Sequence, residues 1–242
     1  MSILVSASNL RDLPKQSFGR IWLSVREVVD RDGCIFIEGY EPERPSAEVA
    51  PTFGKILSVW GDNDPVQELV PINQNDAAPN TYSGIFGRDR FPFHTDLAHW
   101  RDPPRYLMLR CVKGYSDIPT PVIDGRDLVK AIGPDLLNRA LVKPRRPCDG
   151  RFRILRLREP AGERLGLIRW DEVYLKPVSN LGELAISRMK AEIAKRRAID
   201  RTLAKPGDTM IIDNWRMLHA RAPVPAGLKD RIIERTYLGE LN

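Results

Sequence analysis

The feature that most limits the fold of this chain is the order of its secondary-structure signals. Strand-forming runs recur along it without the regular alternation of strand and helix that a parallel sheet requires. Cys34–Tyr40 (CIFIEGY) alternates like a strand, Arg105–Tyr115 (RYLMLRCVKGY) is rich in strand formers, Arg164–Leu175 (RLGLIRWDEVYL) reads as a strand pair, and Gly207–Arg221 (GDTMIIDNWRMLHAR) reads as turn, strand and exit. Helical periodicity is confined to Phe18–Gly33, to Ser46–Gly61 with a break at Pro51, and to Leu181–Leu203. The pattern predicts a mainly β fold with peripheral helices, a distorted antiparallel barrel or sandwich. Pro and Gly gather in turns at Pro42–Pro51, Pro71–Pro79 and Pro223–Gly227, and no repeat or linker divides the sequence, so residues 1–242 read as one domain.

Composition narrows the functional classes. With 42% hydrophobic and 29% charged residues the chain matches neither a disordered nor a fibrous protein. No apolar run reaches the length of a membrane helix, and the first residues lack the basic and apolar regions of a secretory signal, which together predict a cytoplasmic protein. Cys34, Cys111 and Cys148 stand far apart without a CxxC pair, so core packing is expected of them rather than disulfides or a zinc ribbon. The formal charge of +6 is concentrated at Arg145–Arg158 and Lys190–Arg201. Such runs are commonly solvated faces, and they would also attract an anionic small molecule, an acidic carrier protein or nucleic acid.

The chemistry-bearing residues are few. The chain has three histidines: His94 and His99 in FPFHTDLAHW, and His219 in DNWRMLHARAPV. In an extended segment the period of two puts His94 and Asp96 on one face, and a distant imidazole from His219 would complete a triad of two histidines and one carboxylate. That donor set leaves coordination positions open and suits iron(II) oxygen chemistry better than structural zinc. The His-x-Asp pair by itself also fits a structural histidine beside an aspartate.

Three segments together extend the reading. FPFHTDLAHWRDPPRYLMLRCV, GDTMIIDNWRMLHARAPV and RIIERTYL resemble those of the taurine dioxygenase and clavaminate synthase family of iron(II)/2-oxoglutarate oxygenases, over roughly Gly33 to Leu238. The resemblance implies a double-stranded β-helix, or jelly roll, in which His94, Asp96 and His219 bind Fe(II). It further implies 2-oxoglutarate as co-substrate with its 5-carboxylate on Arg231, and O2 as oxidant. Thr120 stands where the family has an assisting hydroxyl, although Asp117, Ile118 and Pro119 replace the usual Gly-Gly-Asp before it. The implied reaction is hydroxylation of an unactivated C–H bond of a small, anionic or amino-acid-like substrate, free or carrier-tethered, with release of succinate and CO2. Desaturation, cyclisation and epoxidation would use the same site. Halogenation is disfavoured because Asp96 keeps the carboxylate.

Physical chemistry agrees with the arginine role, since the planar guanidinium matches a carboxylate bidentately. Arg235 lies four residues beyond Arg231, on the same side of a strand and roughly 13 Å away, where it could hold a substrate anion or pair with Glu234 or Asp230. Arg221 is expected to brace the metal loop. His99, Tyr82, Ser83 and Phe93 are candidate pocket residues, and Trp100 and Trp215 are candidates for pocket wall or core. The rival reading is a basic nucleic-acid-binding protein, or a nucleic-acid-modifying oxygenase on the same barrel. No RNP, zinc-finger or helix-turn-helix signature supports it.

Overall fold

The computed structural model describes residues 4–6, 18–59, 64–147, 150–161 and 164–242. In chain order the strands are β1 (Leu4–Ser6), β2 (Cys34–Glu38), β3 (Gly54–Ile56), β4 (Val66–Leu69), β5 (Phe91–His94), β6 (Tyr106–Lys113), β7 (Thr120–Asp124), β8 (Leu141–Pro144), β9 (Leu155–Arg156), β10 (Arg158–Ala161), β11 (Arg164–Ile168), β12 (Leu175–Pro177), β13 (Ile199–Arg201), β14 (Thr209–Asp213), β15 (Met217–Arg221) and β16 (Ile232–Leu241). The helices are α1 (Phe18–Asp32), α2 (Ser46–Phe53), α3 (Tyr82–Phe86), α4 (Gly125–Ile132), α5 (Pro134–Arg139) and α6 (Asn180–Lys195).

Two sheets carry the architecture. The larger runs β1-β2-β14-β6-β16-β3, with β4 also paired to β16, and the smaller runs β13-β7-β15-β5. Alternation along each strand assigns its faces. In β2 and β6, Phe36, Leu107 and Leu109 join Val122, Met217 and Tyr237 in a buried cluster shared by the two sheets. The opposite-parity residues Ile35, Ile37, Tyr106 and Met108 pack instead on Val25, Val28, Val29, Val49 and Phe53 of α1 and α2. Leu218 and Ile123 cover the outer side of the smaller sheet with Leu128, Leu137, Ala185 and Met189 from α4, α5 and α6. The metal-site candidates lie between the sheets because β5 and β15 belong to the smaller sheet and β16 to the larger.

Three sequence expectations are corrected in detail. The helix expected over Ser46–Gly61 stops at Phe53 and runs straight through Pro51. Gly54 then opens β3, which pairs with Leu238–Leu241, and a Cβ at Gly54 would stand 2.1 Å from the Glu240 carbonyl oxygen. Sheet pairing thus overrides the apolar run that favoured more helix. The helix expected to Leu203 ends at Lys195, after which Ile199–Arg201 pairs with Thr120–Val122. The strand pair expected in Arg164–Leu175 is two strands with different partners, β10 for the first and β8 for the second. Asp171 turns the chain between them, its Oδ1 accepting from the N–H groups of Val173 and Tyr174, both at 2.8 Å.

Cys34 and Cys111 are buried and free, as core packing requires, while Cys148 lies outside the described residues. Burial pushes both thiols up to about 11. Because the thiolate is the reactive form, peptides bearing Cys34 and Cys111 should stay unmodified when the native protein meets iodoacetamide at neutral pH and become labelled after unfolding. Mass spectrometry of the digests checks this, and rapid native labelling of either peptide would contradict the buried placement. Among the described residues no helix is long and apolar enough to cross a membrane.

Candidate metal centre

The sequence brings the two segments that carry the candidate ligands together by pairing β5 with β15, which places His219 directly opposite His94. His94 closes β5, and Asp96 follows it in a turn whose next residue, Leu97, has φ +54°. His94, Asp96 and His219 are all buried, with one potential ligand atom from each lying within 4.8 Å of the others. Both Nε2 atoms stand 3.3 Å from Asp96 Oδ1. The His94 Nδ1 lies 2.9 Å from the Pro92 carbonyl oxygen, so Nδ1 carries the proton and donates, leaving Nε2 free as a ligand. Nδ1 of His219 is buried with no partner among the described residues. Two imidazoles and one carboxylate oxygen facing a common point, with no thiolate, fit a divalent metal of the iron(II) type.

Asp96 is held on its other side as well. Its Oδ2 accepts from Arg235 Nη1 at 3.0 Å and from the Tyr237 hydroxyl at 2.8 Å, so Oδ1 alone is left for the histidines. Burial opposes the charge of Asp96, but the Arg235 guanidinium and the two imidazoles outweigh it and hold the carboxyl well below its usual range. Burial likewise works against a charged His94, yet its hydrogen bond and attraction to Asp96 prevail and raise it. His219 is lowered, first by burial and then by its neighbour His94.

Around this centre opens a cavity of about 430 Å³. Every site residue expected from the sequence lines it: the triad, Arg231, Thr120, Arg235, His99, Tyr82 and Ser83. Arg231 precedes β16, with a register shift between Ile232 and Ile233, and its guanidinium has no carboxylate partner among the described residues. It is 5% exposed, its Nε is unpartnered, and burial lowers it to about 10. Thr120, also buried, opens β7 and lines the same cavity. Arg221, expected to brace the metal loop, instead holds the turn that leads into β5: Nη2 donates to the carbonyls of Gly87 and Asp89, at 2.8 and 2.7 Å, and the guanidinium lies 3.5 Å from the centroid of the Phe91 ring.

Some placements differ from the expectation. The acids expected for Arg235 were Glu234 or Asp230, but it pairs with Asp96, and Gln67 Oε1 accepts from its Nε and Nη2 at 3.2 and 2.7 Å. Asp230 instead pairs with Lys113. Phe93 points away from the cavity and packs under the outer face of the smaller sheet. Trp215 donates Nε1 to the Pro103 carbonyl and stacks on Arg105, outside the cavity lining.

Sequence reasoning missed Asp171, Tyr174, Tyr237 and Gln67. Tyr237 was within reach, since it lies two residues beyond Arg235 in one strand and so shares its face. Asp171 is a buried carboxylate on the cavity wall, raised by burial. Tyr82 stacks on His94 with ring centroids 4.6 Å apart, and its hydroxyl is buried. Its phenol is raised by burial and by the charge of Asp171. His99 faces Tyr174 at 5.7 Å between centroids, and burial lowers it, keeping the imidazole neutral.

No protein-family model matches the chain. Solved structures do. An asparagine oxygenase in complex with Fe(II), 3-hydroxyasparagine and succinate is 18% identical with TM-score 0.70, over 93% of this chain and 79% of that one. The non-haem iron oxygenase OrfP in complex with Fe and alpha-ketoglutaric acid is 18% identical with TM-score 0.71, over 94% and 81%. The PvcB protein from Pseudomonas aeruginosa is 16% identical with TM-score 0.62, over 94% and 80%. The chain therefore has the double-stranded β-helix, or jelly-roll, fold of non-haem iron oxygenases. Fold alone does not assign chemistry, which has to be argued from the side chains above.

Proposed function

We propose that the chain is an Fe(II)- and 2-oxoglutarate-dependent oxygenase that hydroxylates a small amino-acid-like substrate. The observation that carries the reading is one cavity holding both a buried two-histidine, one-carboxylate cluster and Arg231, a buried cation with no carboxylate of its own among the described residues. A lone buried guanidinium is costly unless something anionic meets it. A dicarboxylate co-substrate supplies that anion, with Arg231 and Thr120 taking its distal carboxylate and the metal side taking the rest.

His94, Asp96 and His219 would hold the iron. Bound together, iron(II) and 2-oxoglutarate supply a two-electron oxidation by O2 in which a C–H bond becomes C–OH and 2-oxoglutarate becomes succinate and CO2. The chain's own residues then bind, orient and shield. Asp171 offers a buried carboxylate in the same cavity that suits the ammonium of an amino acid, while Arg235 beside it is already paired with Asp96 and Gln67. Tyr82, stacked on His94, restricts water beside the centre. The asparagine oxygenase in complex with 3-hydroxyasparagine and OrfP in complex with (3S)-hydroxy-L-Arg support the same substrate class. A cytoplasmic setting belongs to this proposal, as does an acidic carrier as an alternative source of the substrate. The exposed Lys190 and Arg197 near the end of α6 are the feature that favours a carrier.

Anaerobic titration tests the class. Adding Fe(II) and 2-oxoglutarate together should produce a weak visible absorption band absent with either alone, and a panel of amino acids should then be scored for succinate and hydroxylated product. Failure of the band to form at saturating iron and 2-oxoglutarate would refute the reading.

A further inference from the structure

We propose that Asn214 is the positioning residue that sets the carboxylate ligand of the metal centre. The inference rests on the reading of His94, Asp96 and His219 as a metal site. Asn214 is fully buried between the end of β14 and the turn that leads to His219. Its side-chain amide closes a two-way pairing with the backbone of Asp96. Oδ1 accepts from the Asp96 N–H at 2.7 Å, and Nδ2 donates to the Asp96 carbonyl at 3.0 Å. The second Nδ2 hydrogen goes to the Pro104 carbonyl at 2.9 Å, and the backbone N–H of Asn214 donates to the Arg105 carbonyl at 2.7 Å.

This clasp acts where the backbone needs it. Leu97, the next residue, sits in the left-handed region at φ +54°, a conformation that a leucine adopts only when its surroundings impose it. The preceding residue is pinned independently, because Thr95 N donates to the Trp170 carbonyl and Thr95 Oγ1 accepts from Trp170 N, at 2.8 and 3.1 Å. Asn214 supplies the matching constraint on the far side, so that Asp96 leaves the backbone with Oδ1 toward both imidazoles and Oδ2 toward Arg235 and Tyr237. It also ties the segment bearing His94 and Asp96 to the one bearing His219, since Asn214 lies five residues before that histidine. An aspartate at 214 would keep the shape and lose the Nδ2 donor, setting a carboxylate oxygen against two carbonyls. An alanine would leave the buried N–H and C=O of Asp96 without this partner.

The test uses the full chain and Mn(II) as the probe, with free Mn(II) read by electron paramagnetic resonance and folding followed by thermal melting. Asn214→Asp and Asn214→Ala should each weaken Mn(II) binding by about 10–100-fold, the range for groups that orient metal ligands. Leu128→Ala, in the cluster outside the smaller sheet, should lower the melting temperature and leave the Mn(II) dissociation constant unchanged. Should Asn214→Ala fail to fold, Asn214→Asp decides. Wild-type Mn(II) affinity in the Asn214 variants, or equal weakening in Leu128→Ala, would overturn the positioning role while the metal site stands. No Mn(II) binding by the wild-type chain would overturn the metal-site reading itself and the role with it.

Discussion

Changing His219 to alanine is expected to weaken iron(II) binding by more than about a hundredfold, beyond what loss of an outer-sphere group costs, and to abolish turnover. Two remaining donors cannot retain a labile divalent ion, and no other histidine, cysteine, aspartate or glutamate joins the cluster among the described residues. The fold should survive the change. His219 stands in register with His94 of β5 and Val122 of β7, pairings that backbone hydrogen bonds provide regardless of side chain, and Asp96 keeps Arg235 and Tyr237 on Oδ2. Loss of metal with a nearly unchanged melting temperature therefore separates a ligand from a packing residue. Iron content after anaerobic loading, together with a melting curve of the metal-free protein, makes the measurement. Stoichiometric iron and normal succinate release in His219→Ala would end the triad assignment.

The site was more legible in the sequence than the elements that carry it. His94 and Asp96 are neighbours in the chain and His219 is one of only three histidines, so residue chemistry singled them out before any fold was known. Arg231 and Thr120 came from the resemblance, and both line the cavity. What stayed hidden depends on long-range placement. The partner of Arg235 is 139 residues away at Asp96, and local spacing pointed instead to Glu234 and Asp230. Asp171 lay inside an apparent strand, and only the turn it caps brings it to the cavity. Phe93 was placed in the pocket because it adjoins a ligand, yet alternation along β5 sends adjacent side chains to opposite faces, which is why His94 points in and Phe93 out. The helix boundaries at Phe53 and Lys195 failed for a related reason: pairing with β16 and β7 decided them, and neither partner is local.

Arg231→Ala is expected to raise the dissociation constant for 2-oxoglutarate on the order of a hundredfold, because a charge-assisted pair is lost and the incoming carboxylate is left unmatched in a buried wall. Arg221 cannot take over, since its guanidinium is committed to the Gly87 and Asp89 carbonyls and to the Phe91 ring. Arg231→Lys should recover only part of the loss, because an ammonium keeps the charge without the planar fork. Stability should move the other way. Burial lowers Arg231 to about 10 and no carboxylate among the described residues offsets it, so at neutral pH the folded, co-substrate-free protein holds a cation that the unfolded chain would solvate better. Arg231→Met, which fills similar space without charge, should therefore melt no lower than the wild type when both are free of 2-oxoglutarate. Saturating 2-oxoglutarate in the presence of metal should then raise the melting temperature of the wild type well above that of the variant. The visible band of the iron and 2-oxoglutarate complex gives the affinities, and paired melting curves give the stabilities. Unchanged 2-oxoglutarate affinity in Arg231→Ala would move the distal carboxylate to another basic residue. A sharply destabilised Arg231→Met would show that the guanidinium is held by the fold rather than kept for a ligand.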